Sequence, residues 1–149
     1  MAGCCQMVDI LRRGQRFHEE LAAYCRQTRR HTHSDELRRA LSVVGRHEAW
    51  LAHCIEAYTT DVPSKVAKAW FRGTPDDDTT VMLRHMRITE ETEPDEAIAM
   101  TLEYDECLAR LFSRLLDVAA TPELRDALQG LLDLERSEEM KLSHQLQQI

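Results

Sequence analysis

The chain has 149 residues, of which 43% are hydrophobic and 30% are charged, and its formal net charge is −7. This length and composition are typical of one globular domain, here residues 1–149, that can bury a substantial core. The acidic balance argues against a nucleic-acid partner, and the lack of an apolar run of about 18 residues argues against a membrane span. Glycine-rich phosphate loops, dinucleotide fingerprints and the nucleophile motif G-x-S-x-G are also absent from the sequence.

The cysteine usage favours a reducing compartment. The five cysteines are odd in number and include no C-x-x-C pair; Cys25, Cys54 and Cys107 lie within helical patterns, where free cysteine behaves as a small core residue. Cys4 and Cys5 are expected at a frayed terminus with exposed thiols. The first residues lack a secretory pattern, because their charges follow the apolar residues. We therefore expect a cytoplasmic protein.

The first two predicted helices form a hairpin over residues 8–58. Apolar residues recur at helical spacing from about Val8 to Arg29 and again from about Asp35 to Tyr58. Ser34 is a candidate N-cap of the second helix. The alternating spacing of four and three residues in the second helix is that of a helix in a bundle.

Residues 59–93 are predicted to form a long crossover. A short helix is expected around Ser64 to Phe71, and the sequence GTPDDDTT at 73–80 is typical of a turn. Trp70, like Trp50 in the second helix, is expected to pack against the core. The segment is too long for a simple loop between packed helices, where roughly two to eight residues are usual. We therefore expect it to run along the side or the end of a bundle.

The second predicted hairpin covers residues 94–147. Its first helix runs from about Pro94 to Val118, and its second begins after Thr121, a candidate N-cap, with Pro122 at the first helical position.

The two hairpins match each other when the chain is shifted by 87 residues. LRRALSVVGRHE, which ends at Glu48, aligns with LRDALQGLLDLE, which ends at Glu135, and FHEELA aligns with YDECLA. One offset holds across two helices and the turn between them without a gap. This pattern indicates the duplication of a helical hairpin.

Five ionisable residues interrupt the apolar stripes of the four helices, each about midway along its helix. They are His18, Glu48, Asp105, Glu135 and Glu138. Mid-helix positions meet at one level of an antiparallel bundle, so we expect these side chains to share one small volume. Because isolated or clustered carboxylates are costly to bury, the cluster needs a cation, protonated acids, or pairing with His18 and with inward-reaching arginines such as Arg16 or Arg136.

Two helical hairpins joined by one long crossover form the ferritin-like topology. In the second half, DECLARLFSRLLDVAATPELRDALQGLLDLERSEEMKL resembles the rubrerythrin and ferritin-like family, in which an acid on one helix precedes a helix that carries Glu-x-x-His. The resemblance covers most of the chain outside the crossover. It implies an all-α, ferritin-like four-helix bundle of two duplicated hairpins, and pairing into a homodimer is a further expectation.

The resemblance also implies a set of metal-site positions. His18 and Asp105 stand where the family has the single acids of the first and third helices. Glu48 and Glu135 match the acids of the two Glu-x-x-His motifs. The resemblance therefore implies a carboxylate-rich site for one metal ion or a skewed pair, with iron or manganese as the expected cofactor and oxidative-stress or metal handling as the function.

The two motif histidines are replaced, one by Leu51 and the other by Glu138. A standard di-iron centre is therefore not expected, and the alternative is a metal-free helical module that acts as a structural or interaction domain. His47 and His53 flank Glu48 off the apolar stripe, where we expect a surface or supporting role.

Overall fold

The computed structural model describes residues 5–71, 85–89 and 91–148, and these residues are almost entirely helical. In chain order the elements are β1 (Cys5–Gln6), α1 (Met7–His31), α2 (Asp35–Asp61), α3 (Ser64–Ala67), β2 (Trp70–Phe71), α4 (Pro94–Asp117) and α5 (Pro122–Leu146). The predicted all-α class is confirmed. The predicted turn at 73–80 lies outside the described residues.

Side-chain caps set the first residues of α2 and α5. Ser34 accepts a hydrogen bond of 3.2 Å from the backbone N–H of Leu37, and Thr121 accepts one of 3.2 Å from that of Leu124. Each bond satisfies one of the donors that a helix start leaves open. The two caps are 87 residues apart, and so are the first residues of α1 and α4 and those of α2 and α5.

The four long helices enclose one apolar core. α1 packs along α2, α4 packs along α5, and α2 also contacts both helices of the second hairpin. Leu11, Leu37, Leu108 and Phe112 are among the fully buried side chains, and burial of such a side chain stabilises the fold by roughly 2 kcal/mol. Near mid-bundle the core turns polar. None of the described helices is both long enough and apolar enough to cross a membrane.

The start of the chain and the crossover differ from the prediction. The predicted helix around Ser64 to Phe71 ends at Ala67, and Trp70–Phe71 instead pairs antiparallel with Cys5–Gln6. The exposed thiol predicted for Cys5 is wrong, because this pairing buries the residue to 8% exposure. Cys4 lies outside the described residues.

The packing role predicted for the two tryptophans is also wrong. Trp50 is 54% exposed and Trp70 is 60% exposed. The side chain of Trp50 contacts the ring of His53 on the surface of α2, with centroids 5.7 Å apart.

Two glycine substitutions should separate an open helix position from a tightly packed one. A Cβ at Gly45 would meet Cys25 Cβ at 3.5 Å and Ala22 O at 3.9 Å. Since these are ordinary contacts, Gly45→Ala should raise the free energy of unfolding by about 0.5–1 kcal/mol through helix propensity. A Cβ at Gly14 would lie 3.3 Å from Phe112 Cζ, so Gly14→Ala should show no such gain. Urea denaturation measures both variants, and an equal gain in both would contradict the packing around Gly14.

Candidate metal centre

Four buried polar residues, His18, Glu48, Asp105 and Glu135, form a polar level midway along the apolar core. The imidazole of His18 lies at its centre. His18 is fully buried; its Nδ1 is 2.5 Å from Glu48 Oε2 and its Nε2 is 2.6 Å from Glu135 Oε1. A neutral imidazole has one N–H, so only the imidazolium can donate to both carboxylates. Helix α1 therefore contributes a cation that bridges an acid of α2 and an acid of α5 through charge-assisted hydrogen bonds.

The electrostatics of the bridge agree with this protonation state. Burial alone would lower the pKa of His18, but the charges of Glu135 and Glu48 and their hydrogen bonds outweigh it and raise the pKa to about 10. Burial alone would raise the pKa of Glu48, but the charge of His18 and its hydrogen bond lower it instead. At neutral pH His18 is therefore charged and Glu48 is ionised.

A third acid, Asp105 of α4, reaches the same ring from the Glu48 side. Its Oδ1 is 3.7 Å from His18 Nδ1, and the residue is buried. Burial first, and then the negative charge of Glu48, raise the pKa of Asp105 well above its ordinary range. A proton on Asp105 would leave one imidazolium and two carboxylates, and the cluster would then carry one net negative charge.

Four buried carboxylate oxygens of the cluster have no hydrogen-bond partner among the described residues. They are Glu48 Oε1, Glu135 Oε2 and both oxygens of Asp105. A proton on Asp105 is a donor that the acids can share among themselves, but it cannot satisfy all four oxygens. Potential ligand atoms of His18, Glu48 and Asp105 all lie within 4.8 Å of one another. Buried acceptors without donors are costly, and this arrangement is compatible with metal binding.

The fifth predicted residue, Glu138, lies at the edge of the cluster. It accepts a hydrogen bond of 2.9 Å from Lys141 Nζ, and its other oxygen is 3.9 Å from His47 Nδ1. Lys141 is largely exposed. Glu138 therefore contacts His47 and the surface residue Lys141, and no ion pair within the described residues joins it to His18.

The sequence analysis placed His47 off the apolar stripe, with a surface or supporting role, and the structure buries it beside the cluster. It is only 7% exposed, and its Nε2 has no hydrogen-bond partner among the described residues. Burial lowers the pKa of His47, so the ring is neutral at pH 7 and retains a lone pair. The signal that could have found it is its spacing, since it lies three residues after Val44 and four before Leu51, both of which are buried. His53 is exposed.

Pairing of the acids with Arg16 or Arg136, one of the alternatives, is wrong for both arginines. Both side chains are exposed, and Arg136 lies 3.9 Å from Glu106. The countercharge within the cluster comes from His18 instead.

Comparison with solved structures identifies the fold as ferritin-like. The chain is similar to a crystal structure from Thermotoga maritima that is provisionally described as a ferritin-like diiron-carboxylate protein. The TM-score is 0.58, the sequence identity is 16%, and the match covers 96% of this chain and 95% of that chain. At this identity the likeness shows the fold alone, and it confirms the ferritin-like bundle that the sequence resemblance implied. No family model and no curated protein sequence matches the chain.

The metal-free protein should lose stability as the pH rises above neutrality. The folded pKa of His18, about 10, exceeds the ordinary histidine pKa of 6.5, so its contribution to stability is complete below pH 6.5 and is lost as the pH rises towards 10. The raised pKa of Asp105 acts in the same direction, whereas the lowered pKa of Glu48 costs stability only in acid. The total loss from His18 is up to roughly 5 kcal/mol, at about 1.4 kcal/mol per pKa unit.

Denaturant unfolding at pH 7, 8 and 9 with a chelator present measures this slope. His53→Gln, which removes an exposed histidine of α2, should retain the slope of the parent protein. A free energy of unfolding that is constant or rises over this range would show that His18 is not held as an imidazolium.

Proposed function

We propose that this protein binds a divalent transition metal, iron or manganese, at the cluster of His18, Glu48 and Asp105, as a ferritin-like protein of metal handling or oxidative stress. The observation that carries the proposal is the set of buried carboxylate oxygens without donors around one imidazole. Carboxylates with one imidazole suit iron, manganese or zinc, and a majority of carboxylates favours the harder ions.

Charge balance supports a divalent ion. To ligate, His18 gives up the proton at Nδ1 and Asp105 gives up its carboxyl proton. Two positive charges leave with these protons and two arrive with the ion. The net charge of the buried cluster is therefore the same before and after binding, so the bound ion adds no net charge to the core.

Glu135 has a positioning role in this proposal. It lies on the Nε2 side of His18, opposite Glu48. A carboxylate that accepts the second N–H of a metal-ligating histidine fixes the tautomer and orientation of the ring. Direct ligation by Glu135 and Glu138, as the sequence resemblance implies, stays a competing prediction, and loss of metal in their Gln variants would support it over the roles proposed here.

The ligand set leaves coordination positions free. An iron or manganese ion with an open position would supply redox chemistry towards oxygen or peroxide. The chain's own contribution is to exclude water, because His18, Glu48 and Asp105 are all buried. His47, neutral and without a partner at Nε2, is placed to accept a proton beside the cluster.

A metal-free helical module is the second candidate function. The observation that favours it is the bridge itself, because His18 already places one positive charge between two of the acids without an ion. In that case the imidazolium replaces the ancestral metal, and the protein acts through its surface.

We also propose that the two hairpins arose by duplication, which the common offset of 87 residues in helix starts and caps supports. A cytoplasmic location is consistent with the free thiols of Cys25 and Cys54. A homodimer, and the expected lack of nucleic-acid and membrane partners, stay predictions.

Isosteric variants of the three acids should rank their roles in metal binding. After reconstitution with Fe²⁺ without oxygen, or with Mn²⁺, mass spectrometry should find stoichiometric metal in the parent protein and none in Glu48→Gln, which loses a ligand. Glu135→Gln should retain metal with roughly 10- to 100-fold weaker affinity. Glu138→Gln, the matched control at the edge of the cluster, should retain metal with little change. A parent protein that takes up no metal would establish the metal-free module instead.

Metal binding should release about two protons at pH 7, one from His18 and one from Asp105. Apparent affinity should therefore rise by about a hundredfold per pH unit while both protons remain bound in the metal-free protein. Calorimetric titration with Mn²⁺ in buffers of different ionisation enthalpy counts the released protons. Release of no protons would mean that the ion binds elsewhere or that His18 is neutral in the metal-free protein.

A further inference from the structure

A groove between α1 and α2 carries arginines over a floor of small residues. Ala22, Gly45 and Ala49 line a cavity of about 240 Å³ together with Arg26, Arg29, Arg46 and two further residues of α2, Leu41 and Ser42. A second depression of about 580 Å³ continues along α2 and shares Ser42 and Arg46 with the first. None of the buried acids lines the groove.

The charge of this region is opposite to that of the whole chain. Residues 26–46 contain six arginines, no lysine and two acids, whereas the full chain has a net charge of −7. Within the described residues, no ion pair involves Arg26, Arg39 or Arg46. Like charges that are gathered without counterions repel one another, and an anionic ligand would relieve that repulsion.

Two of the guanidinium groups are held in place by the protein. Arg29 donates a hydrogen bond of 3.0 Å to Ser42 Oγ across the groove. Arg38 donates one of 2.8 Å to Thr32 O and pairs with Asp35, the one acid lining the second depression, at 3.2 Å. Preorganised donors lose less conformational entropy on binding a ligand.

The second hairpin provides an internal comparison. At positions 87 residues later, Arg46 corresponds to Asp133, and Gly45 corresponds to the buried Leu132. Of the six arginines in residues 26–46, only Arg38 has an arginine, Arg125, at its counterpart. The helical repeat by itself therefore explains neither the basic charge nor the open floor of the groove.

We propose that this groove binds a small phosphorylated ligand. Arg26, Arg29 and Arg46 would hold its phosphate group, because the planar fork of arginine matches phosphate oxygens in pairs. The floor at Ala22 and Gly45 accepts a compact organic body, and a larger body extends into the second depression. The ligand is small because an extended polyanion would meet the acidic remainder of the surface.

Calorimetry or NMR titration with AMP and with glycerol phosphate tests this site, at about 0.15 M salt to suppress unspecific attraction. The intact protein should bind at least one of the two with a Kd below about 1 mM. The double variant Arg26→Gln/Arg46→Gln should weaken that binding about ten- to hundredfold, since a hydrogen bond from a charged donor contributes more to affinity than one from a neutral donor. Arg125→Gln is the control, because it removes an arginine of the second hairpin that lies outside the groove. Arg125 donates a hydrogen bond of 3.2 Å to Ala119 O, as Arg38 does to Thr32 O. Ligand binding should be unchanged in this variant.

Three results would overturn the proposal. The first is that neither phosphoester binds. The second is that Arg125→Gln weakens binding as much as the double variant, which would reflect net charge alone. The third is that a single-stranded oligonucleotide binds and the small phosphoesters do not, which would make the groove a nucleic-acid surface.

Discussion

The polar level of the bundle is organised around the imidazole of His18, which lies between a carboxylate of α2 and a carboxylate of α5. Its contacts with Glu48 and Glu135, at 2.5 and 2.6 Å, join helices of both hairpins at mid-core. Removal of this one cation would leave two buried acids unpaired. Such a change destabilises a protein far more than replacement of the whole ion pair by apolar residues. The same ring presents Nδ1 to Glu48 and Asp105, so the interaction that brings positive charge into the core also positions the proposed ligands.

Much of the bundle could be predicted from sequence, because long amphipathic helices carry a strong periodic signal. Ser34 and Thr121 marked the starts of α2 and α5, since a capping side chain acts locally. The region from Ser64 to Phe71 was predicted less well. Its last two residues form a strand because Cys5–Gln6 pairs with them, and a pairing across more than sixty residues leaves no local signal.

The residues of the candidate site could be predicted from the sequence for a related reason. Polar residues at His18, Glu48, Asp105 and Glu135 interrupt otherwise apolar stripes, and the bundle geometry brings all four to one level. The orientation of each side chain could not be predicted from the sequence. Glu138 turns to Lys141 at the edge, and His47 turns inward, because rotamers and packing between helices decide which side of a wide stripe is buried.

The most direct test of the central claim is an anomalous-scattering map from crystals of the protein grown with Mn²⁺. The proposed function predicts a metal peak bonded to His18 Nδ1, Glu48 and Asp105, with Nε2 of the same ring still donating to Glu135. A map with no peak at this position, in which His18 still bridges Glu48 and Glu135, would contradict the metal centre and leave the imidazolium as the permanent cation of the core.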